Sequence, residues 1–262
     1  MHALRRRLIV TVAMLVAAAA DWPGNVFAQA IHNLERNLPL EVEDTAPTDT
    51  GKVQIQGSAI NETGDSPDTS DRFTLQPNIQ WGFAENAHLT ISAPFYIGDE
   101  SVRSGSGDID VGILYNFLAE GRYLPSMAVD AQVIAPTGVG SDGLDTDVTF
   151  VLTKQITKAS SEDRVHLNVR WIHNSIASST ERDDRMEYVI GYSRKLNDKA
   201  VLVLDFFRRE ESQKDQESNV MEIGLLYQLQ ERATLGIGIG TGIDDESPDL
   251  RLGISLQVTL GK

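Results

Sequence analysis

Cysteine is absent from the 262 residues, which removes disulfide scaffolds, iron–sulfur clusters, cysteine-ligated zinc and thiol nucleophiles from consideration. Basic residues are scarce: 23 Lys and Arg stand against 38 Asp and Glu, a formal net charge of −15. With a pI of about 4.7 and no concentrated basic patch, nothing draws the chain to a phosphate backbone, so nucleic acid is not an expected partner. No apolar run reaches the roughly 20 residues of a membrane helix, and a mean hydropathy of −0.21 argues against a bundle of such helices. Neither deficit touches a membrane barrel, whose strands need only one apolar face. EF-hand spacing, His-rich metal motifs, phosphate-binding glycine loops and G-x-S-x-G elbows are also missing. No metal, cofactor or covalent catalyst is therefore expected.

What is present begins with an export pattern. Arg5, Arg6 and Arg7 precede an apolar stretch from Leu8 to Ala20, and Ala28-Gln29-Ala30 has the small-x-small form of a cleavage site. Residues 1–30 read as a secretory signal peptide. Residues 31–50 are polar and acidic, carry Pro39 and Pro47, and show no period; they read as an extended periplasmic leader. Residues 51–262 then alternate apolar with polar in segments of about ten, the period of a strand with two unlike faces.

Leu250-Arg251-Leu252-Gly253-Ile254-Ser255-Leu256-Gln257-Val258-Thr259-Leu260 is the clearest of these segments, with every even position aliphatic. In Ala233-Thr234-Leu235-Gly236-Ile237-Gly238-Ile239-Gly240 glycine takes the second face, as on a strand crowded on that side by other groups. Twelve segments emerge, near 52–62, 71–83, 88–98, 107–118, 124–136, 145–157, 163–175, 185–196, 199–209, 218–230, 232–243 and 249–260.

The connections alternate in length. Ala84 to Ala87, the stretch around Glu120-Gly121-Arg122, Lys158 to Glu162, Asn197-Asp198 and Glu231 are short. Glu62 to Ser70, Asp99 to Ser106, Thr137 to Leu144, Ile176 to Asp184, Glu210 to Glu217 and Asp244 to Pro248 are longer and polar. Strict alternation predicts an all-β, twelve-stranded, antiparallel up-and-down transmembrane barrel in a bacterial outer membrane, with short turns and both termini periplasmic. A soluble sandwich shares the strand period but would turn its apolar face inward. Aromatic placement favours the membrane. Trp81, Phe83, Tyr115, Phe117, Tyr192 and Tyr227 fall at the periplasmic ends of their segments, and Phe95, Trp171 and Phe206 toward the outer ends, as two girdles.

Putting the apolar phase against lipid leaves a polar lumen. Its candidate solute path is Arg72, Asn78, Asp108, Asp110, Asp130, Asp147, His166, Arg170, Glu187, Asp205, Glu222 and Arg251, with Leu114, Val151, Ile172, Val189, Val201, Val203 and Leu226 on the same inner face. Facing acids and arginines would set a transverse field that selects polar or amphipathic solutes; alternatively, the charges pair and fill a closed structural barrel. Twelve strands about 4.8 Å apart and tilted about 40° close a backbone ring roughly 24 Å across, wide enough for either. The acidic loop runs Asp142 to Asp145 and Asp244 to Glu246 read as solvated faces or as sites for cations bridging to lipopolysaccharide.

One element suggests an enzyme. In Trp171-Ile172-His173-Asn174-Ser175 a histidine and a serine lie two residues apart on the outward face, similar to the H-x-S element of outer-membrane phospholipases. The S-N-G continuation is replaced by Ser175-Ile176-Ala177, and the next segment offers Asp184 but no asparagine to orient the histidine. No catalytic residue is assigned.

A wider likeness lies in the middle of the chain. Ile91-Ser92-Ala93-Pro94-Phe95, then Gly107-Asp108-Ile109-Asp110-Val111-Gly112-Ile113-Leu114-Tyr115-Asn116-Phe117-Leu118, then Pro125 with Ala128, closing in Ala135-Pro136-Thr137-Gly138, resembles the outer-membrane transporter family named for a meta-pathway of phenol degradation. There a G-D-x-x-x-G-x-x-Y-x-F strand is followed by a proline turn and a strand ending P-T-G; Glu43-Asp44 ahead of Gly51-Lys52 also fits. The likeness is strongest over residues 40–140. It implies a porin-like barrel for hydrophobic or aromatic compounds. The expected function is passage of a small, aromatic or amphipathic solute, with outer-membrane lipid, lipopolysaccharide and the barrel-assembly machinery as partners. Where barrels of this kind usually end in an aromatic residue, either Leu260 serves that machinery instead or the assembly signal is weak.

Overall fold

A computed structural model describes residues 33–64, 71–98, 104–139, 141–157 and 162–261. The expected signal peptide lies outside them. Fourteen strand segments follow one another: β1 (Val53–Thr63), β2 (Arg72–Ala84), β3 (Ala87–Ser92), β4 (Phe95–Gly98), β5 (Gly105–Ser106), β6 (Ile109–Leu118), β7 (Ser126–Ala135), β8 (Asp145–Gln155), β9 (Arg164–His173), β10 (Asp184–Asn197), β11 (Ala200–Glu210), β12 (Glu217–Gln230), β13 (Ala233–Gly242) and β14 (Leu250–Leu260).

These make twelve crossings. β3 and β4 both pair with β2 and are one crossing interrupted at Ala93-Pro94. β5 and β6 continue one another on the far side, pairing with β4 and β3 respectively. Pro94 has no amide to give the ladder, and its carbonyl instead accepts from Gly107 N at 2.8 Å, so the two interruptions face each other. Every neighbouring pair is antiparallel. The sheet closes because β1 pairs on one side with β14, from Val53↔Leu260 to Thr63↔Leu250, and on the other with β2, from Val53↔Trp81 to Glu62↔Arg72. Closure leaves no edge, the condition for β-structure in hydrocarbon.

The faces are inverted relative to a soluble sandwich. Ile79, Trp81, Ile113, Tyr115, Ile190 and Ile237 are exposed on the outer surface, whereas Gln54, Asp147, His166, Glu187 and Arg251 are buried within. An outer belt of this kind is stable only in lipid, and the barrel is a bacterial outer-membrane protein. The girdle residues Trp81, Phe83, Tyr115, Phe117 and Tyr227 at one end, and Phe95 and Trp171 at the other, are all exposed.

One expectation is corrected. Residues 33–50 are not extended in the periplasm; they fold back into the lumen. Asn37 N donates to Leu40 O at 2.7 Å, and Asp44 N to Leu34 O at 3.0 Å, which makes a narrow loop whose tip is residues 37–40. Leu34, Leu40 and Val42 are buried in one apolar cluster with Val189, Val201, Val203, Phe207, Val220 and Leu226 of the wall. Of the apolar inner patch visible in the alternation, Leu114 and Val151 cluster separately with Ala128, while Val189, Val201, Val203 and Leu226 are covered by the chain itself. Burial of these groups rewards insertion in a way the period of residues 31–50 does not reveal.

Candidate functional site

The inserted loop has no strand partner, so its backbone polar groups must be met by side chains. Asn168 on β9 accepts from Glu43 N and donates to Glu43 O, both at 2.9 Å. Asp205 on β11 accepts from Val42 N at 2.8 Å, and Glu222 on β12 from Glu41 N at 3.2 Å. Nearer the periplasmic end, His88 Nδ1 accepts from Thr48 N at 3.0 Å, and Asn116 donates to Thr45 O at 2.8 Å. Glycines make the room. A Cβ on Gly238 would lie 2.7 Å from Leu40, and one on Gly253 2.8 Å from the Pro39 carbonyl oxygen. The glycine-rich inner face of β13 and β14 is thus crowded by Pro39 and Leu40.

The wall around the loop is electrically divided. The inner faces of β6, β7 and β8 present Asp110, Asp130, Asp145 and Asp147 and no basic side chain, with Asp108 just ahead of β6. The arginines Arg170, Arg185, Arg209, Arg251 and Arg72 come from β9, β10, β11, β14 and β2. The loop matches both halves. Arg36 pairs with Asp147 at 3.4 Å and donates to Gln132, while Glu41 pairs with Arg209 at 2.7 Å and with Arg251 at 2.9 Å. Arg209 and Arg251 also stand over the Phe207 ring, at 4.9 and 5.6 Å from its centroid.

Above the loop, on the side of the long connections, a vestibule of about 530 Å³ opens outward, with Arg36, Asn37 and Glu41 among its lining residues. Beside the loop a crevice of only about 40 Å³ runs past Asn78, His88, Asp110 and Asp130. The twelve residues proposed for a solute path all sit on the inner face, but in different settings. Arg72, Asp108, Asp110, Arg170 and Arg251 line the vestibule, and Asn78 and Asp130 the crevice. Asp205 and Glu222 hold the loop's backbone. Asp147 and Glu187 are buried partners of arginines, and His166 is buried between Thr153 and Ser193. Asp108 accepts from Thr137 N, Gly138 N and Ser141 Oγ, which fixes the P-T-G turn.

Arg36, Asn37, Glu41, Arg185, Arg209 and Tyr96 belong to this region without having been singled out. Arg185 and Arg209 share the parity of Glu187 and Asp205 in their own strands, so alternation contained them; nothing periodic marks Arg36 or Glu41.

The chain matches the family described as "Putative MetA-pathway of phenol degradation" over residues 42–260. The chain belongs to that family. The match extends the likeness seen over residues 40–140 through nearly the whole barrel. Among solved structures, the COG4313 outer membrane channel from Pseudomonas putida F1 is similar with a TM-score of 0.64 at 14% identity, covering 83% of this chain and 98% of the channel. The NanC porin reaches 0.56 at 10% identity over 79% and 100% of the two chains, and the KdgM porin 0.55 at 9% over 79% and 99%. At these identities the likeness is one of fold. None of the curated proteins compared with the chain matches it. By their descriptions these three are an outer-membrane channel and two porins.

The histidine–serine element lies near the outer rim. His173 Nδ1 and Trp171 Nε1 both meet Asp184 Oδ1 at 3.0 Å, so an aspartate orients the histidine after all. The Ser175 hydroxyl forms no hydrogen bond with His173 among the described residues; Ser175 N instead donates to Asp145 at 2.8 Å.

Proposed function

We propose that this family member is an outer-membrane channel for a small amphipathic solute, closed at rest by residues 33–50. One observation carries the reading: the floor of the outward vestibule is not barrel wall. Arg36, Asn37 and Glu41 reach it on a loop held by side-chain hydrogen bonds, ion pairs and an apolar cluster, so it can leave without breaking the ladder. The family match and the channel-type fold support the same reading. Lipid meets the apolar belt, and lipopolysaccharide meets the acidic outer loops through bridging divalent cations.

The test is conductance in planar bilayers, with the mature chain and one lacking residues 33–49. The deletion should raise single-channel conductance several-fold. Equal, near-zero conductance in both would favour a closed structural barrel. Lipid hydrolysis is the weaker reading because Ser175 is not hydrogen-bonded to His173; hydrolysis retained in Ser175→Ala would remove that serine from consideration.

A further inference from the structure

Six arginines line the vestibule, and five of them are paired with carboxylates. Arg170 meets Asp147 and Glu187; Arg209 meets Glu187 and Glu41; Arg251 meets Glu41, Glu62 and Glu222; Arg72 meets Glu62; and Arg36 meets Asp147. Arg185 is the exception. It forms no ion pair among the described residues, donating only from Nη1 to Ser212 Oγ at 3.0 Å, and its buried Nε has no partner. Glu211 and Asp145 line the same vestibule but are engaged elsewhere, by Ser218 Oγ at 2.7 Å and Ser175 N at 2.8 Å. Most of the donors of one guanidinium are therefore uncommitted, in a cavity whose other cations are neutralised.

The surroundings hold this group in place. The loop after β9 and the loop after β11 are stitched together by Arg182 N to Ser212 O and Lys214 N to Thr180 O, both at 2.9 Å, so Ser212 is a fixed post for the side chain. Next to Arg185 in the ladder is Ile172, whose side chain also lines the vestibule, and Ile134, Pro94, Val139 and Tyr96 give the cavity an apolar and aromatic side. A cavity of this volume accepts a drug-sized solute.

We infer that Arg185, steadied by Ser212, is the capture point for the carboxylate of a small amphipathic acid whose apolar body lies against the Ile172, Ile134 and Tyr96 side of the vestibule. This names the solute class for the channel proposed above and rests on that reading for its transport role, although binding stands by itself. A carboxylate gains charge-assisted hydrogen bonds that a neutral isostere does not.

The experiment is calorimetric titration of the purified mature protein with benzoate and with benzamide at low salt. Wild type should bind benzoate about tenfold or more tightly than benzamide. Arg185→Gln should erase the preference, and Arg185→Lys should keep part of it. Ser212→Ala should weaken benzoate without touching benzamide, a check that does not depend on altering the arginine. Equal binding of the two probes to wild type, or a preference undiminished in Arg185→Gln, overturns the site. A preference found in a barrel that never conducts would leave the site standing and refute the channel; conductance without preference would do the reverse.

Discussion

The two halves of the lumen wall use like materials differently. On β6 to β8 the inner carboxylates have no basic side chain on their own inner face, and Asp147 finds its cations on β9 and on the inserted loop. On β9 to β2 arginines and glutamates are interleaved, and Arg209 and Arg251 converge on Glu41 while also holding Glu187, Glu62 and Glu222. The acidic half therefore attracts a cation from elsewhere, and the mixed half is close to neutral until the loop adds an acid. Of the loop's charged groups, Arg36 forms an ion pair with the first half and Glu41 with the second. Its docking is thus set by the wall's asymmetry as much as by its buried leucines.

The comparison can be broken at the mixed half first. Because the native chain has no cysteine, a Leu38→Cys background makes thiol labelling a report on loop release, since Leu38 is buried. Glu41→Ala removes two charge-assisted contacts at once, to Arg209 and to Arg251, although each guanidinium keeps another glutamate; docking should weaken by about 3 kcal/mol, seen as labelling faster by about two orders of magnitude. Gly253→Ala puts a Cβ against the Pro39 carbonyl, where backbone must move, and should weaken docking by about 1–3 kcal/mol. Arg36→Met should have a smaller effect, about 1 kcal/mol, because Asp147 keeps Arg170. If Arg36→Met loosens the loop more than Glu41→Ala does, the assignment of the main anchor to the mixed half is wrong. Asp108→Ala should leave labelling of the introduced thiol unchanged while freeing the Thr137–Gly138 turn, detectable as faster amide exchange there; accelerated labelling would tie that turn to the loop.

Much of the barrel was readable from the alternation. The segment at 249–260 appears as Leu250–Leu260 and that at 145–157 as Asp145–Gln155, because a strand between lipid and water must repeat every two residues. The interruptions at Ala93-Pro94 and Gly107-Asp108 were less visible, since each keeps the local phase while exchanging ladder partners. The lumen residues were also largely readable by phase, but their work was not. Asp205, Glu222, Asn168 and His88 look alike in sequence to pore-lining groups, and only contact with the loop reveals them as its backbone partners.

By itself the sequence determined which side of each strand meets lipid, since one misplaced charge in hydrocarbon costs more than any local propensity can offset. It also determined that the inner surface carries both signs of charge. What fills the lumen was decided only in three dimensions. Residues 33–50 have no period, and their partners lie far away along the chain: Arg251 is 210 residues from Glu41, and Asp147 is 111 from Arg36. Such pairs have meaning only once the ring is closed and its two halves face one another across a space of the loop's width.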